Sequence, residues 1–488
     1  MYHHIAAALV GLLLSQPVWA WDQQANHYKV RIDAKAQKAH IEADVWVAGH
    51  TLMFFGVEPL PNLPNGQADL MENLTVVDGA GQPVATKNLG EGEFALQGDR
   101  RLRYRYDIRL EHDRYAWPGG VEEVLYRTDE GILASGYALF LAPGEKMLGE
   151  TRVTFDLPAG WQAHTPWQAT ASPDVFIAET RKALANNVIF MGTARTETLK
   201  SGGMEVQMVL GKPYWPARSL FRELFQKQLD SYLALFGGPP QSKRYLVVVN
   251  AGASGDGGAF SGSFSQLING TAERQTLPIW GRVMAHELLH FWNGLTLVPK
   301  DGHEEWFKEG VTDYLTLTSM ARNELISRQA LMQWFENLSR GQSVARQAQG
   351  LTMPISAAAA DKHRNWLLVY GGGSIAALAL DVELRKATQG KQGLPDVMRA
   401  MHAEFGQAGK RYDFADLLRV IRSTTGYDAT ALLERIINQP APYDLRPVFA
   451  DLGLRLEQYM LLEHHLLKDH QADAAARARF TQLTGLPY

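Results

Sequence analysis

Residues 283–295 read VMAHELLHFWNGL, and the two histidines in this stretch decide how the rest of the chain is interpreted. His286 and His290 are four residues apart, so in an α-helix both side chains lie on one face, one turn apart. Both imidazoles can then reach one metal ion at about 2.0–2.1 Å, the bond length that zinc prefers with nitrogen. Glu287 lies beside that face, where it can take a proton from a water that the metal activates. The apolar flanks predict a buried helix; a chance pentapeptide with two core histidines is the alternative.

A second stretch supplies the third ligand of a catalytic zinc site. Residues 305–314 read EWFKEGVTDY, an amphipathic helical pattern, and eighteen residues separate His290 from Glu309. Two histidines, one glutamate and a water are typical of a catalytic site, whereas a structural zinc usually has four Cys or His ligands. Asp313 lies one turn beyond Glu309, placed to accept the second N–H of a ligand histidine. A solvated helix face is the alternative for Asp313.

These two stretches resemble a known family. H-E-x-x-H, eighteen residues and then Glu-Gly is similar to the gluzincin zinc metallopeptidases. The runs HELLHFWNG and WFKEGVTDY resemble most closely the glycyl aminopeptidase family and, more distantly, the aminopeptidase N type. The resemblance is sharp over about residues 245–390 and topological elsewhere. It implies a thermolysin-like, mainly α catalytic domain.

The resemblance also implies a role for a tyrosine further along the chain. In the family, a Tyr-x-Lys-Gly segment provides a tyrosine that hydrogen-bonds the developing oxyanion. Tyr370 and Gly373 match this segment, but Gly372 stands where lysine is usual. A neutral phenol aimed at a tetrahedral intermediate is physically sensible. A packing tyrosine at the start of a helix is the alternative.

A glycine-rich strand before the zinc helix lines the substrate cleft in this family. The residues at that position here are Gly257, Gly258, Ala259 and Phe260. Aminopeptidase relatives carry a glutamate in this strand that pairs with the substrate's free α-amine, but the aligned position here is Phe260. Asp256, the nearest acid, precedes the glycines, and alternating side chains along a strand need not aim it at the cleft. We therefore expect weakened aminopeptidase specificity and tolerance of blocked or internal peptide bonds.

The first twenty residues predict export. The charge-free apolar run IAAALVGLLLSQPVWA is typical of a secretory signal peptide with a cleavage point after Ala20. No lysine or arginine precedes the run, and an uncleaved anchor is the alternative. The run is too short for a comfortable membrane span, so we expect no stable span after signal removal. The absence of cysteine excludes disulfides and thiol catalysis, and fits a periplasmic or secreted protein.

Composition narrows the class of partner. The formal net charge of −4 argues against a dedicated binder of nucleic acid or of anionic membranes. A chain of 488 residues is expected to form two or three domains. The sequence does not determine the oligomeric state, the physiological substrate or the pathway.

The hydrophobic pattern divides the chain after the signal into three parts. From 21 to 212, apolar and polar residues alternate with period two between turn signals, which predicts an antiparallel, β-sandwich-like domain. From 213 to 440, apolar residues recur mainly at helical spacing, which fits the catalytic domain. Residues 441–488 are expected to form a polar helical tail. The histidines expected on its solvated face are His464, His465 and His470.

Together these features predict an α+β multidomain hydrolase: a zinc metallopeptidase with one Zn²⁺ per chain that acts on peptide or protein substrates. His286, His290 and Glu309 bind zinc. Glu287 is the general base and then protonates the leaving amine, while Tyr370 stabilises the oxyanion. The alternative is a catalytically degenerate gluzincin-fold protein that binds peptides or serves as a scaffold. Glu287 argues against that alternative, because a binding module needs no base; the altered glycine-rich strand argues for it.

Overall fold

The protein contains a β-rich N-terminal region followed by a mainly helical C-terminal region, which confirms the predicted fold class. The computed structural model describes residues 25–47, 49–97, 100–117, 124–144, 150–252, 257–362 and 364–488. The predicted signal peptide and Asp256 lie outside the described residues.

The long strands of the N-terminal region alternate buried and more exposed residues, as the period-two pattern predicts, whereas β9 and β15 are buried on both faces. In β2, buried residues alternate with more exposed ones along the whole strand. Two short helices, α1 (Gly136–Leu139) and α2 (Arg181–Ala185), interrupt the strands. The strands are β1 (Asn26–Asp33), β2 (Lys38–Val47), β3 (Thr51–Met53), β4 (Met71–Asp78), β5 (Lys87–Gly90), β6 (Glu93–Ala95), β7 (Arg100–Arg109), β8 (Leu125–Thr128), β9 (Gly131–Ser135), β10 (Ala142–Pro143), β11 (Thr151–Asp156), β12 (Gln162–His164), β13 (Gln168–Ala169), β14 (Val175–Ala178) and β15 (Val188–Gly192).

These strands form one large sheet and two small ones. The seven-stranded sheet has the order β13-β14-β11-β1-β2-β7-β4, and the four-stranded sheets have the orders β10-β3-β6-β5 and β12-β15-β9-β8. Most neighbours are antiparallel, as predicted, but β1 pairs with β11 in parallel. The large sheet is therefore mixed, because the chain returns to its centre by a long connection rather than a hairpin.

The mainly helical region has its own sheet, which begins earlier in the chain than the predicted boundary at 212. Its five strands have the order β16-β17-β18-β20-β19. β16 and β17 lie before residue 212, yet β17 pairs in parallel with β18. The period-two pattern marks them as strands but not which sheet they join, so the boundary lies between β15 and β16. The five strands are β16 (Arg195–Ser201), β17 (Met204–Leu210), β18 (Arg244–Ala251), β19 (Gly257–Ala259) and β20 (Ser263–Ile268).

Helices make up most of the remaining chain. A wide π-helical turn, Leu367–Gly372, leads directly into α8. The run Leu367–Ala387 is the one helix in the described part of the chain that is long and apolar enough to cross a membrane; 78% of its apolar window is buried inside the protein, so it serves as a core helix. The helices are α3 (Arg218–Phe236), α4 (Leu277–Leu289), α5 (Glu305–Arg322), α6 (Arg328–Ser343), α7 (Ile355–Ala358), α8 (Gly373–Ala387), α9 (Leu394–Met401), α10 (Phe414–Thr425), α11 (Thr430–Ile437), α12 (Arg446–Ala450) and α13 (Ala474–Thr484). Two pairs of short strands accompany them: β21 (Val298–Pro299) with β22 (Arg411–Tyr412), and β23 (Leu454–Gln458) with β24 (His464–Lys468).

Helices α5 and α8 approach each other closely at two glycines. A Cβ atom added to Gly310 would lie 2.3 Å from the backbone of Gly373, so neither position has room for a side chain. The Ser374 hydroxyl donates a hydrogen bond of 3.1 Å to the Gly310 carbonyl at the same crossing. This contact places the π-helical turn beside the first turns of α5.

The C-terminal stretch is helical at α12 and α13, as predicted, but a pair of strands that was not predicted lies between these helices. It contains the β23–β24 hairpin, which packs on α6 through a hydrogen bond of 2.8 Å from Leu466 N to Glu336 Oε1. His464 is buried, with Nδ1 2.8 Å from Ser339 Oγ, whereas His465 and His470 are exposed as expected. The prediction failed because one buried face of a five-residue strand offers too few alternating positions to stand out in the sequence.

The N-terminal region also holds the glycine-rich segment in place. Asn187 Oδ1 accepts hydrogen bonds from Gly262 N at 2.8 Å and from Ser263 Oγ at 2.9 Å. Val188 N donates to Ser263 Oγ at 2.8 Å. A buried apolar cluster joins the two regions beside these bonds: Leu133, Val188, Phe190, Val209, Leu246, Val248 and Phe260.

Candidate metal and catalytic site

Helices α4 and α5 bring the three predicted ligands together. His286 lies in the last turn of α4 and His290 caps its C-terminal end, whereas Glu309 lies in the first turns of α5. One ligand atom from each of the three side chains lies within 4.8 Å of the others. The sequence spacing therefore produces a compact cluster of two imidazoles and one carboxylate.

The distances within this cluster fit a tetrahedral metal site. Glu309 Oε2 lies 3.4 Å from His286 Nε2 and 3.0 Å from His290 Nε2. Two ligands bound tetrahedrally at about 2.0–2.1 Å are themselves about 3.3 Å apart, so the cluster has the size of a zinc sphere. Two nitrogens and one carboxylate oxygen are also donors that zinc prefers.

The other nitrogen of each imidazole is held by a hydrogen bond. His286 Nδ1 donates to Asp313 Oδ1 at 3.0 Å, and His290 Nδ1 donates to the Asn293 carbonyl at 2.8 Å. A carboxylate and a carbonyl oxygen only accept hydrogen bonds, so each Nδ1 carries the proton. Nε2 is therefore the nitrogen of each ring that would bind a metal, in place of any proton it holds, which is how metal-binding histidines are usually oriented.

Asp313 lies beside His286 rather than on a solvated helix face. Its Oδ1 also accepts a hydrogen bond of 2.8 Å from Arg282 Nη1. Burial alone raises the pKa of Asp313, but Arg282 and His286 outweigh it and hold that pKa below its ordinary value. Asp313 therefore stays ionised. Its carboxylate accepts the Nδ1 hydrogen bond of His286 on the side of the ring that is turned away from the other two candidate ligands.

The cluster favours positive charge between its ligands. Burial lowers the pKa of His286, but the carboxylates of Asp313 and Glu309 outweigh burial and raise it to about 10. Burial raises the pKa of Glu309, yet His290 and His286 hold it well below its ordinary value. A site that stabilises a proton this strongly is suited to a divalent cation in its place.

Lys362 contacts the candidate ligand cluster, although no pattern in the sequence indicated this. Its Nζ lies 2.8 Å from Glu309 Oε1, and Lys308 Nζ lies 3.3 Å from the same oxygen. These contacts leave Oε2 alone to face the histidines. A Cβ on Gly372 would lie 2.5 Å from Ile355 Cδ1, so a lysine there would require the Ile355 side chain to move.

Tyr370 lies in the π-helical turn, next to His286. The two ring centroids are 6.0 Å apart and the rings are nearly parallel. Burial and the carboxylates of Glu309 and Glu287 raise the pKa of Tyr370 far above its ordinary value. The phenol therefore keeps its proton and can donate a hydrogen bond.

Asn293 is a second residue whose role the sequence did not reveal. Its side chain is buried, and Nδ2 donates to the Phe307 carbonyl at 3.0 Å and to Thr312 Oγ1 at 3.1 Å. Its own carbonyl accepts the hydrogen bond from His290 described above. Asn293 thus ties the end of α4 to α5 and fixes the distance between the ligands. The one sequence feature that could have indicated this role is that Asn293 follows His290 by three positions, at the end of the predicted helix.

Two cavities meet at the site. The glycine-side cavity, of about 770 Å³, is lined by Gly257, Gly258, Ala259 and Phe260 among others. The helix-side cavity, of about 1060 Å³, lies between α4, α6 and the π-helical turn. Three residues line both cavities: Glu287, Lys362 and Tyr370. A chain molecule that occupied both cavities would pass directly over the candidate catalytic residues.

Phe260 faces the glycine-side cavity as an apolar wall. It is buried in the cluster that joins the two regions, and its ring centroid lies 5.9 Å from that of Tyr137. The N-terminal region contributes Glu58, a half-buried acid that also lines this cavity and that sequence reasoning missed. No local pattern marked Glu58, because only the packing of the two regions brings it to the cleft.

Comparison with known proteins gives two findings. Residues 27–193 match the family model described as the peptidase M61 N-terminal domain. A solved aminopeptidase N family protein from Idiomarina loihiensis is similar in structure, with a TM-score of 0.76 and 17% identity over 89% of this chain and 79% of that chain. No curated protein matches the chain.

The chain has an aminopeptidase-like fold. At 17% identity the solved neighbour shows the fold alone, and the matched family model covers the β-rich region rather than the site. Together the two findings support a metallopeptidase-like family, in agreement with the coarser part of the sequence prediction.

Proposed function

We propose that this protein is a zinc-dependent hydrolase of peptide bonds, of the gluzincin type. The observation that carries the proposal is the convergence of three ligand atoms, with both Nδ1 protons held outward by Asp313 and Asn293. His286, His290 and Glu309 would hold one Zn²⁺. When bound, the ion would polarise the substrate carbonyl and lower the pKa of a water.

The remaining residues supply proton transfer and hydrogen bonding. Glu287 lies where the two cavities meet and serves as general base, taking the proton of the attacking water. The same carboxyl then returns a proton to the leaving amine. Tyr370 donates its phenolic hydrogen to the carbonyl oxygen as negative charge develops there.

The alternative function, a peptide-binding scaffold without turnover, is separated from this proposal by one experiment. Purified protein is analysed for zinc and incubated with a peptide library whose products are identified by mass spectrometry. We expect about one zinc per chain and new peptide ends that disappear after chelation. Zinc-loaded protein that binds peptides but generates no new ends would establish the scaffold instead. Glu287 and Tyr370 line both cavities, and this position favours an enzyme over a peptide-binding scaffold.

We further propose that the enzyme accepts blocked or internal peptide bonds. The cavities extend to both sides of Glu287, and Phe260 offers an incoming α-amine at best a cation–π contact of about 0.5–2 kcal/mol. The test compares one peptide with a free and with an acetylated N-terminus. Comparable rates support the proposal. A loss of several orders of magnitude on acetylation would reveal an amine anchor, and Glu58 and Asp256 would be the acids to replace.

A further inference from the structure

The walls of the helix-side cavity are mostly apolar. The side chains that give it this character are Val283, Leu317, Trp334, Leu338, Val344 and Leu367. The glycine-side cavity is less apolar, because the small residues Gly257, Gly258 and Ala259 and the charged Glu58 and Lys308 line it beside aromatic residues such as Phe260 and Phe291. The two sides of the site therefore offer a substrate different surfaces.

The guanidinium groups in the helix-side cavity have partners inside the protein. Arg282 donates to Asp313, as described above. Arg340 Nε donates to the Leu462 carbonyl at 2.8 Å, and Arg340 also donates to Asn337 Oδ1. With these groups already paired, apolar surface is what distinguishes this cavity.

The apolar surface continues to the mouth of the cavity. Ile279 is 72% exposed and Trp366 is 55% exposed, and both line the cavity. Large apolar side chains that form an exposed, continuous surface usually mark a binding site. The volume of about 1060 Å³ lies at the upper end of the roughly 300–1,000 Å³ range of small-molecule pockets, so it has room for several residues of a peptide.

We propose that the helix-side cavity binds a segment of the substrate that is rich in large apolar side chains, on one side of the bond to be cleaved. The inference rests on the proposed peptidase function, since continuity with Glu287 and Tyr370 is what makes the occupant a substrate. Burying such side chains removes apolar area from water on both partners. The glycine-side cavity imposes no such requirement.

Cleavage mapping gives the first test. The zinc-loaded protein is incubated with a proteome-derived peptide library, and the residues on each side of every cut are counted. We expect Leu, Phe, Met and Trp to be enriched on one side only, with at least about tenfold faster cleavage than for the same peptides carrying Ser or Asn there. Equal distributions on both sides would overturn the proposal.

A pair of glycine variants locates the effect in the cavity. A Cβ on Gly371 meets nothing within 4 Å, and this residue lines the helix-side cavity, so Gly371→Phe starts a bulky side chain from open space at the cavity wall. Gly302 also has open space around its Cβ position but lies away from both cavities, so Gly302→Phe is the matched control. We expect Gly371→Phe to abolish the apolar preference and the control to retain it. A preference unchanged in Gly371→Phe would place the subsite elsewhere.

A binding measurement separates failure of the subsite from failure of the proposed function. Glu287→Gln protein loaded with zinc is titrated with two fluorescein-labelled peptides that differ only in a Leu-Phe-Leu or Ser-Asn-Ser block. We expect at least about tenfold tighter binding of the apolar peptide. Tighter binding without any cleavage by the unmodified protein would retain the subsite and reject the peptidase. Cleavage with equal binding of both peptides would retain the peptidase and reject the subsite.

Discussion

Helices α4 and α5 carry the three candidate ligands, whereas Lys362 and Tyr370 reach the same site from a segment that lies more than fifty residues further along the chain. The first side of the site, which we term the ligand wall, depends on helical periodicity and one loop. The second side, residues 362 and 364–373, we term the turn wall. Its position depends on the close crossing of α5 and α8 at Gly310 and Gly373.

The two walls are expected to respond differently to substitution. The ligand wall places three atoms within 4.8 Å of one another, so it defines whether a cation is held at all. The turn wall contributes a phenol and an ammonium group that act on substrate and ligand once the cation is held. Substitutions of the three candidate ligands should therefore remove metal, whereas substitutions in the turn wall should lower the rate or the affinity without abolishing metal binding.

Removing a ligand should have the largest effect. Glu309→Ala deletes the carboxylate oxygen that lies 3.4 Å from His286 Nε2 and 3.0 Å from His290 Nε2. We expect loss of stoichiometric zinc and of all peptide cleavage, measured by elemental analysis and by product formation. Glu305→Ala is the matched control, since Glu305 lies one turn earlier on α5 and contacts the lysines instead of the histidines. Full zinc occupancy in Glu309→Ala would refute the ligand set.

Glu287 separates chemistry from metal binding within the ligand wall. Glu287→Gln preserves side-chain shape and leaves the ligands untouched, but it removes the base. We expect normal zinc content and a fall in kcat of about 10²–10⁴-fold. Steady-state kinetics together with elemental analysis make the measurement. Unchanged kcat at full zinc occupancy would exclude Glu287 as the base.

Tyr370 tests the turn wall directly. Tyr370→Phe removes the phenolic donor and keeps the ring beside His286. We expect kcat to fall by about 10²–10³-fold with little change in KM, because the hydrogen bond strengthens only as the oxyanion forms. A change confined to KM would assign Tyr370 to packing or to ground-state binding.

Lys362 tests whether the turn wall also acts on the metal. Lys362→Met removes the ammonium group 2.8 Å from Glu309 Oε1, and we expect zinc affinity to fall by about 10–100-fold. Lys308→Met, which removes the more distant contact at 3.3 Å, should have a smaller effect. Competition with a fluorescent chelator measures both. An equal or larger loss in Lys308→Met would show that Lys362 does not hold the ligand, and Lys362→Arg should restore most of the affinity.

Gly310 tests the contact that joins the two walls. Gly310→Ala would place a Cβ 2.3 Å from the Gly373 backbone, so α5 and α8 must separate. We expect a loss of about 1–3 kcal/mol in the free energy of unfolding, measured by urea denaturation. Gly371→Ala, which meets open space, should be neutral or slightly stabilising. Equal stability of the two variants would show that the crossing adjusts without cost.

The ligand wall could be predicted from the sequence because its geometry is local. The two histidines are four positions apart, as are Glu309 and Asp313, and a helix converts both spacings into a shared face. The fold class followed from the change of period along the chain. The same periodicity could not show that β16 and β17 join the catalytic sheet, or that β23 and β24 form a hairpin, because strand partners are chosen by packing.

The sequence by itself therefore determined the order of a β-rich and a mainly helical region, and it indicated the three candidate ligands and the candidate base. Tertiary structure alone decided the rest: that Lys362 reaches Glu309 Oε1, that Asn293 ties α4 to α5, and that Glu58 lines the glycine-side cavity. The physical reason is that these contacts join segments far apart in the chain. Their formation depends on how whole helices and sheets pack, and the spacing of nearby residues in the sequence does not predict it.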